Sequence, residues 1–244
     1  MVKLAANLST LWAELPYLDR VEAAAEAGFA GVSVPFPYDV PVKDTQRTLM
    51  RSGLSMVQIT APPPNYTGGP RGFAARPELK DRFRYDLRRA LRYSDAVRAP
   101  ILQVMAGDAS GPEARDCLIE NLCHAVATVP ETVTLTLEPR AVDRAFLNSL
   151  DIAADVIEAV GSPRVGLQVH LSHVAAMGLD ITEVLQQYGQ IVRHIQTGPL
   201  EEQQLSDALS HLHKYTDTEW IAVDFDTGGD TTARLDWLAD ALQG

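Results

Sequence analysis

The chain has 244 residues, 46% of them hydrophobic and 22% charged, which is enough to bury a substantial core as one large domain spanning 1–244. A formal net charge of −11, with acidic and basic residues mixed along the sequence, argues against nucleic acid or an anionic membrane as partner, since both call for a basic face. No apolar run approaches the roughly 18 residues of a membrane span.

Short β-like runs alternate with helical patterns from one end to the other. KLAANLS (3–9) opens the chain and carries Asn7; no basic segment with an unbroken apolar stretch precedes it, so the cytoplasm is the expected compartment. LPYLDRVEAAAEAG then has helical spacing and closes on Gly28, a helix-stop signal. GVSVPF (31–36) is the second strand candidate, followed by the helical DTQRTLMRSG closing on Gly53. SMVQITA (55–61) carries Gln58. Directly after it, TAPPPNYTGGPRGFAARP (60–77) is too rich in Pro and Gly for regular structure and reads as a loop able to cover a substrate, with Arg71 inside it.

RPELKDRFRYDLRRALRYSDAV is the longest and most charged helical segment. ILQVMAG (101–107) carries Gln103, and PEARDCLIENLCHAVATV follows. Its Cys117 and Cys123 are six apart on one helical segment, poorly placed for a disulfide and beside no metal motif, so buried reduced thiols are expected. TVTLTLE (132–138) ends on Glu138, and SLDIAADVIEAVG is the next helix. VGLQVHL (165–171) carries Gln168 and His170, with His173 just beyond; DITEVLQQYG follows. IVRHIQT (191–197) carries His194 and Gln196, and LSDALSHLHKY is helical. WIAVDFD (220–226) carries Asp224, and TTARLDWLADALQ closes the chain with a Thr pair able to cap it.

Eight strands in strict alternation with helices call for a parallel sheet, because parallel neighbours need a crossover connection. A closed (β/α)8 TIM barrel is the simplest arrangement; an open doubly wound sheet is the competitor, but no GxGxxG follows the first strand. Period-two reading assigns Val133, Leu135 and Leu137 to the helix-facing side of the fifth strand, and Thr132, Thr134, Thr136 and Glu138 to the interior. The same parity brings Asn7, Gln58, Gln103, Gln168, His170, His194, Gln196 and Asp224 inside. Such a polar interior is costly unless its groups bond one another, water, a cation or a ligand.

Glu138, His170, Gln196 and Asp224 end consecutive strands on one face, and together they make a hard-leaning donor set suited to Mg²⁺, Mn²⁺, Co²⁺ or Zn²⁺. A metal there would polarise a carbonyl and its neighbouring hydroxyl while a carboxylate moves a proton, giving an enediolate.

At these residues the sequence resembles the hydroxypyruvate isomerase family, a branch of the xylose isomerase-like TIM barrels. The likeness runs through LAANLSTLWAELPYLDRVEAAAEAGFAGV, FPYD (36–39), GGPRG (68–72), LEP (137–139), FLN (146–148), GSPRVGLQ (161–168) and HIQ (194–196). It implies interconversion of the aldehyde and ketone forms of a small hydroxy-carbonyl or sugar-like substrate. It also implies a divalent metal on Glu138, His170, Gln196 and Asp224, with Glu138 and Asp224 transferring the proton and His173 near the substrate oxygen. Asn7, Gln58, Arg71, Gln103 and His194 are the expected substrate contacts, and a homodimer is an assembly open to such barrels.

The chain departs from the family at four places. Where the family has LQYDLYH, this chain has LQVHLSH, so a ligand carboxylate becomes His170; the last Glu is shortened to Asp224. The loop after the seventh strand lacks the family's PGRHEPGxGEI segment and reads TGPLEEQQLSD. The family's His on the fourth strand is replaced by Gln103. These departures leave two further readings: a repurposed barrel catalysing another acid–base reaction such as dehydration, decarboxylation or cyclisation without metal, and a non-catalytic binding subunit.

Overall fold

The computed structural model describes residues 2–61, 72–140, 142–200 and 202–235. Its strands are β1 (Lys3–Asn7), β2 (Gly31–Val34), β3 (Ser55–Thr60), β4 (Ile101–Gln103), β5 (Thr134–Leu137), β6 (Val165–His170), β7 (Val192–Thr197) and β8 (Trp220–Val223). They pair in parallel in chain order, and β1 also pairs with β8 through Lys3↔Trp220 to Ala6↔Val223, which closes the ring and excludes the open sheet. The helices are α1 (Tyr17–Glu26), α2 (Val42–Ser52), α3 (Lys80–Val97), α4 (Pro112–Thr128), α5 (Leu150–Val160), α6 (Leu171–Ala176), α7 (Ile181–Tyr188), α8 (Glu202–Tyr215) and α9 (Thr231–Arg234).

The apolar parity of the strands fixes which side meets the helices. Leu102, Leu135, Leu137, Leu167, Ile195, Ile221 and Val223 are all buried at 1% exposure or less and belong to the main core. Each fully buried side chain of this kind contributes about 1.5–3 kcal/mol of transfer free energy. On the inner side, Ala5, Ile101 and Ala222 touch one another across the ring together with Val57, the extra residue at the register irregularity of β3, with Trp220 packed against them. Contact between strands that are not neighbours is possible only through the barrel interior, so these residues floor it.

Several boundaries differ from the sequence reading. β4 stops at Gln103 rather than running to Gly107, because the chain turns there to meet the segment that follows the described part of β3: Phe73 and Ala74 both donate backbone N–H to Met105 O at 3.2 Å. The approach is so close that a Cβ on Gly107 would lie 2.2 Å from Gly72 O, and Gly107 has φ +86°, open to glycine at little cost. The short α6 has no capping side chain and no apolar periodicity of useful length, so it was hidden in the sequence, yet it carries His173. α9 is capped by Asp230, which accepts from Ala233 N, and not by the Thr pair that follows.

Cys117 is buried as expected, but Cys123 is exposed: six residues are 600° around a helix, which puts the two thiols on different sides of α4. Among the described residues no helix is long and apolar enough to cross a membrane.

Candidate active site

The strand ends open into a cavity of about 670 Å³ lined by, among others, Asn7, Thr60, Gln103, Glu138, Arg140, His170, His173, Gln196 and Asp224. Glu138 and Asp224 are the first residues beyond β5 and β8, while His170 and Gln196 lie on the last turns of β6 and β7, opposite each other in register. The parity argument therefore delivers all four to one mouth.

An amide network holds the acid from beneath. Gln58 Nε2 hydrogen-bonds Gln168 Oε1 directly across the barrel, and Ser33 Oγ donates to Gln58 Oε1 at 3.0 Å. Thr136 Oγ1 also donates to Gln168 Oε1, at 3.1 Å. Gln168 Nε2 in turn bridges Glu138 Oε2 at 3.2 Å and Gln196 Oε1 at 3.1 Å. Gln103 Nε2 gives Glu138 Oε2 a second bond at 2.6 Å, and Thr60 Oγ1 fixes Gln103 by donating to its Oε1 at 2.7 Å. One oxygen of Glu138 is thus committed to two amide donors. The other, Oε1, has His173 Nδ1 at 3.9 Å.

Burial lifts the Glu138 carboxyl to about 7; the Asp224 charge adds to the lift, while Arg140 and the Gln103 bond oppose it. The same burial lowers His170 and His173, so both imidazoles are neutral near pH 7. Their rings stack 3.8 Å apart at 15°. His170 Nε2 lies 3.1 Å from the backbone oxygen of Asp224, which can only accept, so Nε2 carries the proton, and among the described residues the buried Nδ1 has no partner.

Asp224 is held through the loop after β1. Thr10 Oγ1 is 2.8 Å from Asp224 Oδ1. Arg20 pins that loop by donating to Leu8 O, Ala13 O and Leu15 O, and Trp12, at φ 52°, gives its N–H to Thr231 Oγ1 at 2.6 Å. Asn7 is turned inward to accept from Ser9 N and Ser9 Oγ.

Gln58 and His194 do not line the cavity. Each lies two residues deeper than a lining residue of its own strand, Thr60 and Gln196, or about 6.6 Å along the strand. Gln58 is part of the amide network, whereas among the described residues neither ring nitrogen of the fully buried His194 has a partner. Arg71 lies outside the described residues. Sequence reasoning missed Thr10 and Arg140; the latter stands two residues past Glu138, where a cation at a strand end was visible in LEPR.

Burial holds His194 neutral, down at about 3, against about 6.5 in an unfolded chain. A depressed histidine costs stability as the unfolded state protonates, so its contribution is intact above pH 6.5 and falls at lower pH, down to about 3. Unfolding free energies from urea titrations at pH 7 and 4.5 are expected to differ by about 2–3 kcal/mol more in the wild type than in His194→Gln; an equal difference in both would refute this.

The expected metal ligands, as placed, do not fit a shared divalent ion. Among the described residues no three His, Cys, Asp or Glu side chains converge on one point. The NH₂ of Gln168 already sits between Glu138 Oε2 and Gln196 Oε1, giving that pair of acceptors the positive partner a cation would supply.

A family model described as xylose isomerase-like TIM barrel matches residues 21–221. The chain belongs to that family. As a xylose isomerase-like barrel it is 31% identical to 2-oxo-tetronate isomerase of Cupriavidus necator, over 99% of both chains. It is 28% identical to hydroxypyruvate isomerase of Escherichia coli over 80% of this chain and 79% of that one. Its relatives are isomerases, and the chain is an isomerase-like enzyme. The solved structure of AP endonuclease, family 2, from Brucella melitensis superposes with a TM-score of 0.90 at 29% identity, covering 98% of this chain and 99% of that one. A structure of the IolI protein with a zinc atom, 14% identical with a TM-score of 0.75 over 99% and 95%, shares the fold.

Proposed function

We propose that this xylose isomerase-like barrel interconverts the aldehyde and ketone forms of a small hydroxy-carbonyl compound by carrying a proton between adjacent carbons. The observation that carries this reading is Glu138: one oxygen is fixed by two amide donors, and the other is left to the cavity beside His173. Oε1 takes the proton from the carbon next to the carbonyl. The neutral His173 N–H bonds the carbonyl oxygen as charge develops on it, giving an enediol-like intermediate. Glu138 returns that proton to the neighbouring carbon, while Asp224, held by Thr10, takes the proton of the adjacent hydroxyl and passes it to the former carbonyl oxygen. Two isomerases among the relatives support this class of chemistry.

On this reading the chemistry rests on side chains, because among the described residues the donor set does not converge on a divalent ion. Hydroxypyruvate in D₂O, followed by proton NMR, is the test. The protein is expected to wash deuterium into the carbon-bound position and to form the aldehyde isomer, with the rate unchanged within about twofold after exhaustive chelation. Loss of exchange on chelation, restored by Mg²⁺ or Mn²⁺, would overturn the side-chain mechanism; no exchange with hydroxypyruvate or 2-oxo-tetronate would overturn the isomerase reading.

A further inference from the structure

The cavity is acidic. Asp108, Glu138, Asp224 and Asp226 all line it, and Arg140 is the one lysine or arginine among its described lining residues. A guanidinium in that setting would be expected to pair with one of the four carboxylates. It does not: among the described residues no hydrogen bond or ion pair to the Arg140 side chain is found, and its bonds are made by the backbone.

Those backbone bonds fix where the side chain starts. Arg140 N donates to Leu147 O at 2.9 Å, and Val142 N donates to Arg140 O at 2.7 Å. The same returning segment is tied to the loop after β4, since Phe146 N donates to Gly107 O at 3.0 Å and Asp108 pairs with Ala145 as an antiparallel bridge. A charged group is therefore held at the rim on an anchored stem, two residues from the acid, with its donors unspent among the described residues. Its field reaches the reacting groups, because it lowers the proton affinity of Glu138, His170 and His173 alike.

We infer that Arg140 is a specificity-determining residue that binds an anionic group of the substrate, a carboxylate one bond from the carbonyl, and so sets which end of the molecule lies over Glu138. The inference rests on the proton-transfer reading of the site. Arginine suits this task because its planar fork can pair both oxygens of a carboxylate, which a point charge cannot.

Two measurements on the full-length protein separate this inference from the reading beneath it. The first is calorimetric binding of tartronate, a non-isomerising hydroxy-dicarboxylate, and of glycerol, its neutral counterpart. The second is deuterium exchange into hydroxypyruvate and into dihydroxyacetone, which carries a hydroxymethyl group in place of the carboxylate, both at pH 8.5 so that Glu138 is ionised in every variant. Arg140→Gln is expected to weaken tartronate roughly 10- to 100-fold and to lower kcat/KM for hydroxypyruvate by a similar factor, while dihydroxyacetone changes less than threefold. Arg140→Lys should recover only part of the loss.

If tartronate binding falls while neither substrate exchanges in the wild type, the anion site stands and the isomerase reading fails. If exchange is normal but Arg140→Gln leaves tartronate affinity and the hydroxypyruvate-to-dihydroxyacetone ratio unchanged, the inference is wrong and Arg140 serves only to tune Glu138. A fall of equal size for both substrates would overturn it as well. Thermal melting of each variant checks the fold, and Asp226→Asn provides a second rim change that should not lower the carboxylate preference.

Discussion

Glu138→Gln is expected to slow deuterium exchange into hydroxypyruvate by about 10³-fold, with the thermal midpoint nearly unchanged. The magnitude is that of removing one positioned general base. The amide keeps the length of the side chain and its carbonyl can still accept from Gln103 and Gln168, so the scaffold around it stays satisfied while the basic oxygen is gone. A loss below tenfold would move the base elsewhere, with Asp224 the next carboxylate in the cavity. The wild-type pH profile gives the same assignment independently. Burial raises the Glu138 carboxyl from 4.5 to about 7, and only its ionised form can take a proton. The rate should therefore climb about tenfold per pH unit below 7 and level off above it, and Glu138→Gln should flatten that limb.

Gly107→Ala should destabilise the protein by about 2–5 kcal/mol and lower activity beyond what unfolding explains. Two costs add at that position. A side chain at φ +86° is strained by about 1–2 kcal/mol, and a methyl placed 2.2 Å from Gly72 O forces the two backbones apart, in the range of about 1–3 kcal/mol for overpacking. The separation would also free Phe146 N from Gly107 O and so loosen the stem that presents Arg140. Urea denaturation measures the first effect. The second is read at 15 °C, where the variant remains folded, as a raised KM for hydroxypyruvate; an unchanged KM would show that the two loops are not mechanically linked.

Much of this site can be read from the residues. Parity alone puts Glu138, His170, Gln196 and Asp224 on the barrel's inner wall at its open end, because a parallel closed sheet has only two faces and one of them must meet helices. Depth is another matter. Gln58 and His194 share the parity of the lining residues but lie one pleat lower, and nothing in a period of two tells the levels apart. Register compounds this: the irregularities at Val32/Ser33 and Leu167/Gln168 set which residues stand opposite, and no sequence signal marked either. The turn after Gln103 depends on Gly72 and Gly107 meeting, a long-range approach that each glycine alone does not announce. Arg140 escaped notice because, taken one at a time, an arginine after a strand is an ordinary surface residue.

The bar of amides from Gln58 through Gln168 to Glu138 and Gln196 has a consequence for isotopes. An amide can donate and accept but, unlike imidazole or water, does not pass a hydrogen ion along at neutral pH, so the floor beneath Glu138 is an insulator. A hydrogen taken from the substrate has one exit, through the mouth, and while a ligand fills that mouth the hydrogen stays with the enzyme. Tritium started on the substrate carbon should then reappear on the neighbouring carbon of the product, in a fraction that rises as the substrate saturates the site.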